Sequence, residues 1–415
     1  MVKRTLRIFY LLKAMSSLAM GFAFSTYVLF LMGNGLDFFQ VNLVNFIFMA
    51  SIFLLEIPTG AFADTLGRKN SVIIGYAFGT LSGLVYFVSG SFWMFAVAEI
   101  LGALQTCFIS GAFEAWTVDS LKFKGYEGKY EDIFAKGGIF SSAGVIIGAV
   151  LGGYLGAVDL ALPWLAGAVT FFVLFLIARM LMTEPYFKQK PLKVKSTFEE
   201  MKKVSGDSIR YGTKHPIIFN MIIVGFLLGV AVQPWNMFWT PFFKDTLKVD
   251  TSVLGWMFAA ISLFSMAGMY FAKRTLAKLK DRKNVLIFDV ILISAMIVIS
   301  TLIGMPYLVV FFFLLHEIGR GMWNPIDSAL MNDYVPSKQR ATIISFDSMI
   351  SHAGSAVGLF ASGIIASMYG IPISWIAGAI VLLVAIPFLM RIKEDEHSTK
   401  GRSAPSLARA RNKIG

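Results

Sequence analysis

The chain has 415 residues, is 56% hydrophobic and only 15% charged, and carries a formal net charge of +12. Soluble domains carry roughly 25% charge, so a chain this apolar cannot cover itself with polar surface, and lipid must be the solvent for much of it. The excess of bases does not point to nucleic acid, because the charges sit in short loops beside apolar runs, where membrane topology accounts for them; the single cysteine, Cys107, excludes an internal disulfide and a cysteine-based metal site.

A bilayer core takes about 20 mostly apolar residues per helix. Twelve such runs are predicted, here called spans 1 to 12: 6–32, 38–62, 71–89, 92–121, 136–157, 161–182, 216–243, 252–277, 285–303, 306–334, 341–368 and 371–391. The first is too long for a signal peptide and lacks a cleavage site. It reads as a spanning helix whose N-terminus is held inside by Lys3, Arg4 and Arg7. Lys13 lies low enough to snorkel to headgroups. Ser17, Met20, Phe24 and Tyr27 fall on one face of span 1, a surface suited to apolar ligands or to packing.

Span 2 ends with Glu56 shortly before Pro58, placed for a local gate contact. Residues 60 to 70 then read Gly-Ala-Phe-Ala-Asp-Thr-Leu-Gly-Arg-Lys-Asn. The glycines allow two helices to turn within a few residues, and the cations mark the cytoplasmic side. The arrangement G-x-x-x-D-x-x-G-R-K resembles the signature loop between helices 2 and 3 of the major facilitator superfamily of secondary transporters, and the resemblance extends over about residues 6–391. It implies an all-α membrane protein: twelve transmembrane helices in two pseudo-symmetric six-helix bundles, with helices 1, 4, 7 and 10 lining a central cavity. It also implies a gating motif of Gly60, Asp64, Gly67, Arg68, Lys69 and Asp119, in which Asp64, Arg68 and Asp119 latch the halves in the outward-facing state. The expected domains are an N-terminal bundle (1–183), a linker (184–215), a C-terminal bundle (216–392) and a basic, disordered tail (393–415).

Ionisable groups within a span are expensive and are functional hypotheses by default. Span 4 carries Glu99, Glu114 and Asp119. At ~100° per residue, Glu99, Thr106, Ser110 and Glu114 fall within roughly 60° of one another, a polar stripe facing the expected cavity. Glu114 lies about one and a half turns deeper than Asp119, where a charge is hard to solvate. That position suits reversible protonation, or a structural hydrogen bond or ion pair. Span 5 reads Gly144-Val-Ile-Ile-Gly148-Ala-Val-Leu-Gly152-Gly153. It is similar to the G-x-x-x-G-P-x-x-G-G pattern of drug/proton antiporters in that superfamily, with Ala149 where those have proline. Small residues at this spacing let helices approach closely. Ser196-Thr-Phe-Glu199 in the linker reads as a capping box, opening either a helix that rests Phe198, Met201 and Ile209 on the membrane surface or a solvated tether.

Span 7 contains Gln233-Pro-Trp-Asn-Met-Phe-Trp-Thr-Pro241. Two prolines break the backbone ladder, which is tolerated beside a cavity. Gln233 and Asn236 are assigned to that cavity, and the tryptophans either to an interfacial belt or to substrate stacking. Arg282-Lys283-Asn284 repeats Arg68-Lys69-Asn70 at an offset of 214, with Lys278 where the first copy has an acid. Asp289 and His352 are isolated polar residues, expected to hydrogen-bond between helices. Span 10 carries His316, Glu317, Arg320, Asn324, Asp327 and Asp333. His316, Arg320 and Asn324 join Tyr27, Glu99 and Ser110 as cavity residues, and Asp327 joins Glu114 as a proton-coupling residue. Two readings of Arg320 stand open: neutralised by Glu317 it is scaffold; otherwise it meets an anionic substrate or Glu114. The halves repeat here too, Phe140–Gly148 against Ile350–Gly358 and Gly111 against Gly321, at an offset of 210.

Nearly every base falls in the loops on one side, as the positive-inside rule requires, so both termini are expected in the cytoplasm. No G-x-x-x-x-G-K-[ST] loop occurs, so a gradient rather than ATP must supply the work. Four scattered histidines form no ligand set; no metal, cofactor or enzymatic activity is expected. The linker and tail are too short for a sensor's appended domain. The expected function is proton-coupled efflux of small amphipathic or hydrophobic compounds by alternating access. The alternative is a proton symporter importing a sugar, organic acid or peptide. The expected partners are a small-molecule substrate, protons and the lipid bilayer, with no nucleic acid; the chain is expected to be a monomer in a bacterial plasma membrane.

Overall fold

The computed structural model describes residues 2–187, 206, 215–279, 281–335 and 340–392. The capping box at 196–199 and the tail beyond 392 lie outside the described residues. Every regular element among the described residues is a helix. Eleven stretches are long and apolar enough to cross a membrane. The remaining span, Pro306–Tyr334, has the length, but its string of polar residues lowers its mean hydropathy.

Spans 1, 4 and 12 are each two helices. Span 1 is Val2–Phe24 and Tyr27–Gly33, parted at Ser25, whose hydroxyl donates to the Ala149 carbonyl at 3.0 Å. Span 4 is Phe92–Ile109 and Ala112–Phe123. Gly111, at φ 65, takes the left-handed conformation between them, which glycine alone adopts at little cost. This break corrects the predicted stripe: Glu99 and Glu114 sit on different helices, so angular spacing does not carry from one to the other. Span 12 is Ile371–Leu383 and Ile386–Met390.

The other spans are single helices. Span 2, Phe38–Leu66, opens on a capping box in which Asp37 accepts from the Gln40 amide and Gln40 reaches back. It runs straight through Gly60, so the expected glycine-bounded turn is one residue, Gly67 at φ 100, ending span 2 and starting span 3, Arg68–Val88. Span 7, Pro216–Leu247, is continuous across Pro234 and Pro241, contrary to the expected break. This stretch is buried and tied to span 12: the Trp375 indole donates to the Pro234 carbonyl at 2.9 Å, and the Trp235 indole to the Trp375 carbonyl at 3.2 Å.

The glycine pattern packs span 5, Tyr130–Val158, onto span 1. A Cβ on Gly144, Gly148 or Gly152 would collide with the carbonyls of Ala14, Leu18 or Phe22. The repeat reproduces this at 210 residues: Gly354 and Gly358 of span 11, Arg340–Tyr369, meet the Phe226 and Val230 carbonyls of span 7. Gly111 and Gly321 share a register but not a role, since Gly321 lies inside a continuous helix against the Ser265 carbonyl.

Gly153 belongs to the seam between bundles, where it faces Gly255 of span 8, Thr251–Leu279. Further contacts across the seam lie at the end opposite the basic loops. Phe38 meets Phe238 at 5.1 Å, Phe39 meets Phe360 at 5.3 Å, and Asn42 donates to the Leu359 carbonyl at 2.7 Å. At the basic end, the ion pairs among the described residues stay within one bundle: Arg68 with Asp119, and Arg282 with Asp333. Among the described residues, the aromatic and hydrogen-bond contacts that join spans 2 and 11 across the seam therefore lie at the end away from these ion pairs.

Candidate functional site

Spans 5, 7, 8 and 10 enclose a cavity of about 420 Å3 on the seam, within the size range of small-molecule sites. Trp235, Trp239, Phe258 and Phe313 supply aromatic walls, and Ser141, Ser142, Ser262 and Ser265 supply hydroxyls from spans 5 and 8. Both tryptophans are buried, which rules out the interfacial belt. The polar edge is built by span 10. Arg320 donates to Glu317 at 2.7 Å and to the Asn236 side-chain oxygen at 2.8 Å. Glu317 is 4% exposed, so the guanidinium has a buried counter-charge one turn away. Of the two readings of Arg320, the contact matches the one in which Glu317 neutralises it, although the side chain still borders the cavity. His316 lies behind the cavity wall, fully buried, with Nδ1 against the Phe313 carbonyl and its ring against Phe313 and Trp235.

Arg320 also borders a second cavity, of about 380 Å3, between spans 7, 9, 10 and 11. Asn324 and Asp327 line it from span 10, and Asp347 and Ser351 from span 11. Gly225 leaves the room: a Cβ there would stand 2.7 Å from the Ser351 hydroxyl and 3.3 Å from an Asp347 oxygen. Asp347 escaped the sequence reading, although an acid inside an apolar span is itself the signal. The serines of the first cavity carried no such signal, because serine is common in membrane helices.

The remaining predicted residues lie elsewhere. Tyr27 and Glu99 come together, but in a closed box within the N-terminal bundle. Glu99, 7% exposed, accepts from Tyr27 at 2.6 Å and Tyr86 at 2.5 Å, and Tyr86 stacks on Trp164 at 3.7 Å. Ser110 stands at the break of span 4, and Gln233 is buried against Gly358. Glu114 is not buried: its side chain is 56% exposed and pairs with Lys13 at 3.4 Å, so Lys13 does not snorkel. Asp289 is fully buried and neither oxygen has a hydrogen-bond partner among the described residues, contrary to the expected interhelical bond. His352 is exposed.

At the basic end, Arg68 pairs with Asp119 and donates to the Ala115 carbonyl at 3.2 Å. Glu184 accepts from the backbone amides of Arg68 at 3.2 Å and Lys69 at 2.9 Å. Glu184 opens the expected linker, but its carboxylate is part of this cluster. Gly60 is exposed in the helix, and the Asp64 side chain lies outside the described residues.

The profile of the Major Facilitator Superfamily matches residues 9–280 and 221–413. The chain is 24% identical over 399 residues to an uncharacterized MFS-type transporter, YxaM of Bacillus subtilis, covering 94% of this chain and 97% of that one. It is 22% identical over 348 residues to the class C tetracycline resistance protein of Escherichia coli, covering 82% and 84%. Among solved structures, the nucleoside transporter NupG superposes with a TM-score of 0.80 at 16% identity, covering 94% of this chain and all of that one (100%). A bacterial homologue of the iron transporter ferroportin, in an inward-facing state, superposes with a TM-score of 0.75 at 14% identity, covering 94% and 98%.

Proposed function

The chain belongs to the major facilitator superfamily, and on that premise we propose that it exports small amphipathic or hydrophobic compounds by alternating access, driven by protons. That it is a multi-pass membrane transporter of small molecules follows from the family; direction and coupling are the proposal. The observation that carries it is the shared wall: Arg320 borders both the aromatic cavity and the cavity holding Asp327 and Asp347. Two carboxylates sharing a cavity repel each other, and a proton from the gradient relieves that repulsion. A charge change on one side of Arg320 then alters its hold on Glu317 and Asn236 on the other, a local route by which proton and substrate occupancy influence each other.

Efflux is supported by the likeness to tetracycline resistance proteins and by the glycine face of span 5. Uptake of an anion was motivated by an uncompensated Arg320, and the 2.7 Å contact with Glu317 weighs against it. Glu114 was assigned to coupling on the premise of burial, so Asp327 with Asp347 takes that role here. With basic loops in the cytoplasm, both termini are cytoplasmic. The test is efflux of an amphipathic fluorescent dye from bacterial cells expressing the chain. Efflux should collapse with an uncoupler and in Asp327→Asn. Uncoupler-resistant efflux would remove the proton, and inward dye accumulation would reverse the direction.

A further inference from the structure

At the polar edge of the aromatic cavity the Arg320 guanidinium and the Asn236 amide present donors, the Ser141, Ser142, Ser262 and Ser265 hydroxyls can donate or accept, and the Arg320 charge is already balanced by Glu317. A guanidinium has five N–H donors and no acceptor. Arg320 uses two, toward Glu317 and Asn236, and three remain. Because Arg320 cannot accept, Asn236 must present its oxygen to the guanidinium, which leaves both N–H groups of its amide unspent. The Glu317 carboxylate that balances Arg320 is itself buried, at 4% exposure. No net charge is left for an anion to neutralise, and a cation would have to compete with Arg320 for Glu317.

We infer that the cavity takes an uncharged, flat aromatic or heteroaromatic compound whose polar edge consists of acceptors, carbonyl or ring nitrogen, set against Arg320 and Asn236, with its ring among Trp239, Phe258 and Phe313. The inference rests on the transport reading for what the cavity is used for, but its chemistry comes from the walls. Asn236 and Arg320 face the open cavity, and a ligand that covers them without accepting from them strips their water and leaves the N–H groups unpaired, while the aromatic walls supply area and ring contacts. Asn236 sets the polar specificity and Trp239 the apolar contact.

The experiment is calorimetric titration of the purified full chain in detergent with four bicyclic compounds of similar size: coumarin, naphthalene, 2-naphthoate and 2-naphthylmethylammonium. Coumarin should bind saturably, about tenfold more tightly than the other three, since it alone pairs the donors without bringing a charge. Asn236→Ala should erase the advantage of coumarin over naphthalene and leave naphthalene unchanged. The ranking on the unmodified chain decides by itself should the variant fail to fold. Equal or tighter binding of the naphthoate or the ammonium overturns the inference, as does saturable binding by none of the four. Binding is read without a gradient, so this failure would leave the efflux proposal standing, and a failed efflux assay would leave the ranking standing.

Discussion

Arg282 donates to Asp333 at 2.6 Å across 51 residues, the same interval that separates Arg68 from its acceptor Asp119. The second copy of the turn has Lys278 in register with Asp64, yet it keeps the partner at the foot of the fourth helix of its bundle. What is retained in both halves is a tie from the start of the third helix to the end of the fourth.

The two ties should differ in strength. The Arg282 and Asp333 side chains are 14% and 17% exposed, whereas Arg68 and Asp119 are 27% and 40% exposed. A more desolvated, hydrogen-bonded charge pair is worth more. Arg282→Ala is expected to lose about 1–2 kcal/mol and Arg68→Ala less, read as thermal midpoints in detergent.

Glu99 is the joint acceptor for two phenols. Glu99→Ala leaves the Tyr27 and Tyr86 hydroxyls without their acceptor in a dry box and should cost about 2–4 kcal/mol. Glu99→Gln keeps an acceptor oxygen in place and should cost less than half of that. Thermal unfolding of the two variants side by side checks the ordering; equal losses would mean that the box is held by ring packing alone.

Gly148 lies against backbone, which cannot rotate away as a side chain can. Gly148→Leu should therefore cost about 3 kcal/mol or more. Gly358→Leu, its counterpart in the second bundle, should behave alike. Gly138→Leu, where a Cβ would meet nothing within 4 Å, is the control, and the yield of monodisperse protein after extraction is the readout.

Asp347→Asn should abolish the effect of a pH gradient on efflux and flatten the pH dependence of coumarin affinity while leaving coumarin binding saturable, because the acid acts on the first cavity through Arg320 and does not line it. Paired transport and calorimetry on one preparation check this. A large loss of coumarin affinity would mean that the two cavities act as one site.

Glu114→Gln should leave uncoupler-sensitive efflux intact. The carboxylate is solvent-exposed and, among the described residues, is paired with Lys13, and exposed pairs of this kind are worth about 0–1 kcal/mol. Dye efflux from cells, with and without uncoupler, separates this outcome from a coupling role.

The spans, their pairing into two bundles and the glycine face of span 5 were legible in the sequence, because lipid imposes a hydropathy period and close helix approach imposes small residues. The site was legible on span 10, where Arg320, Asn324 and Asp327 stand out against apolar neighbours. It was misread on span 4. A helical wheel assumes an unbroken ladder, and Gly111 breaks it, so Glu99 faces two tyrosines and Glu114 faces Lys13. The prolines of span 7 misled in the opposite sense. Proline removes a donor, but buried tryptophan cross-bonds tie this stretch to span 12, and those partners lie about 140 residues away in the chain. Asp347 was not legible as a cavity residue because the resemblance implies a lining of helices 1, 4, 7 and 10, and span 11 reaches this cavity only where Gly225 leaves room for it.

The connection at Gly67 leaves no slack. With one residue between span 2 and span 3, and with Glu184 clamping the first amides beyond it, the two helices form a rigid elbow, so leaning one carries the other along. A mechanical load applied at the far-end seam through Asn42 on span 2 would thus have a continuous helical path to the Arg68 tie. Lengthening the elbow by a few flexible residues would leave every span in place and cut that transmission.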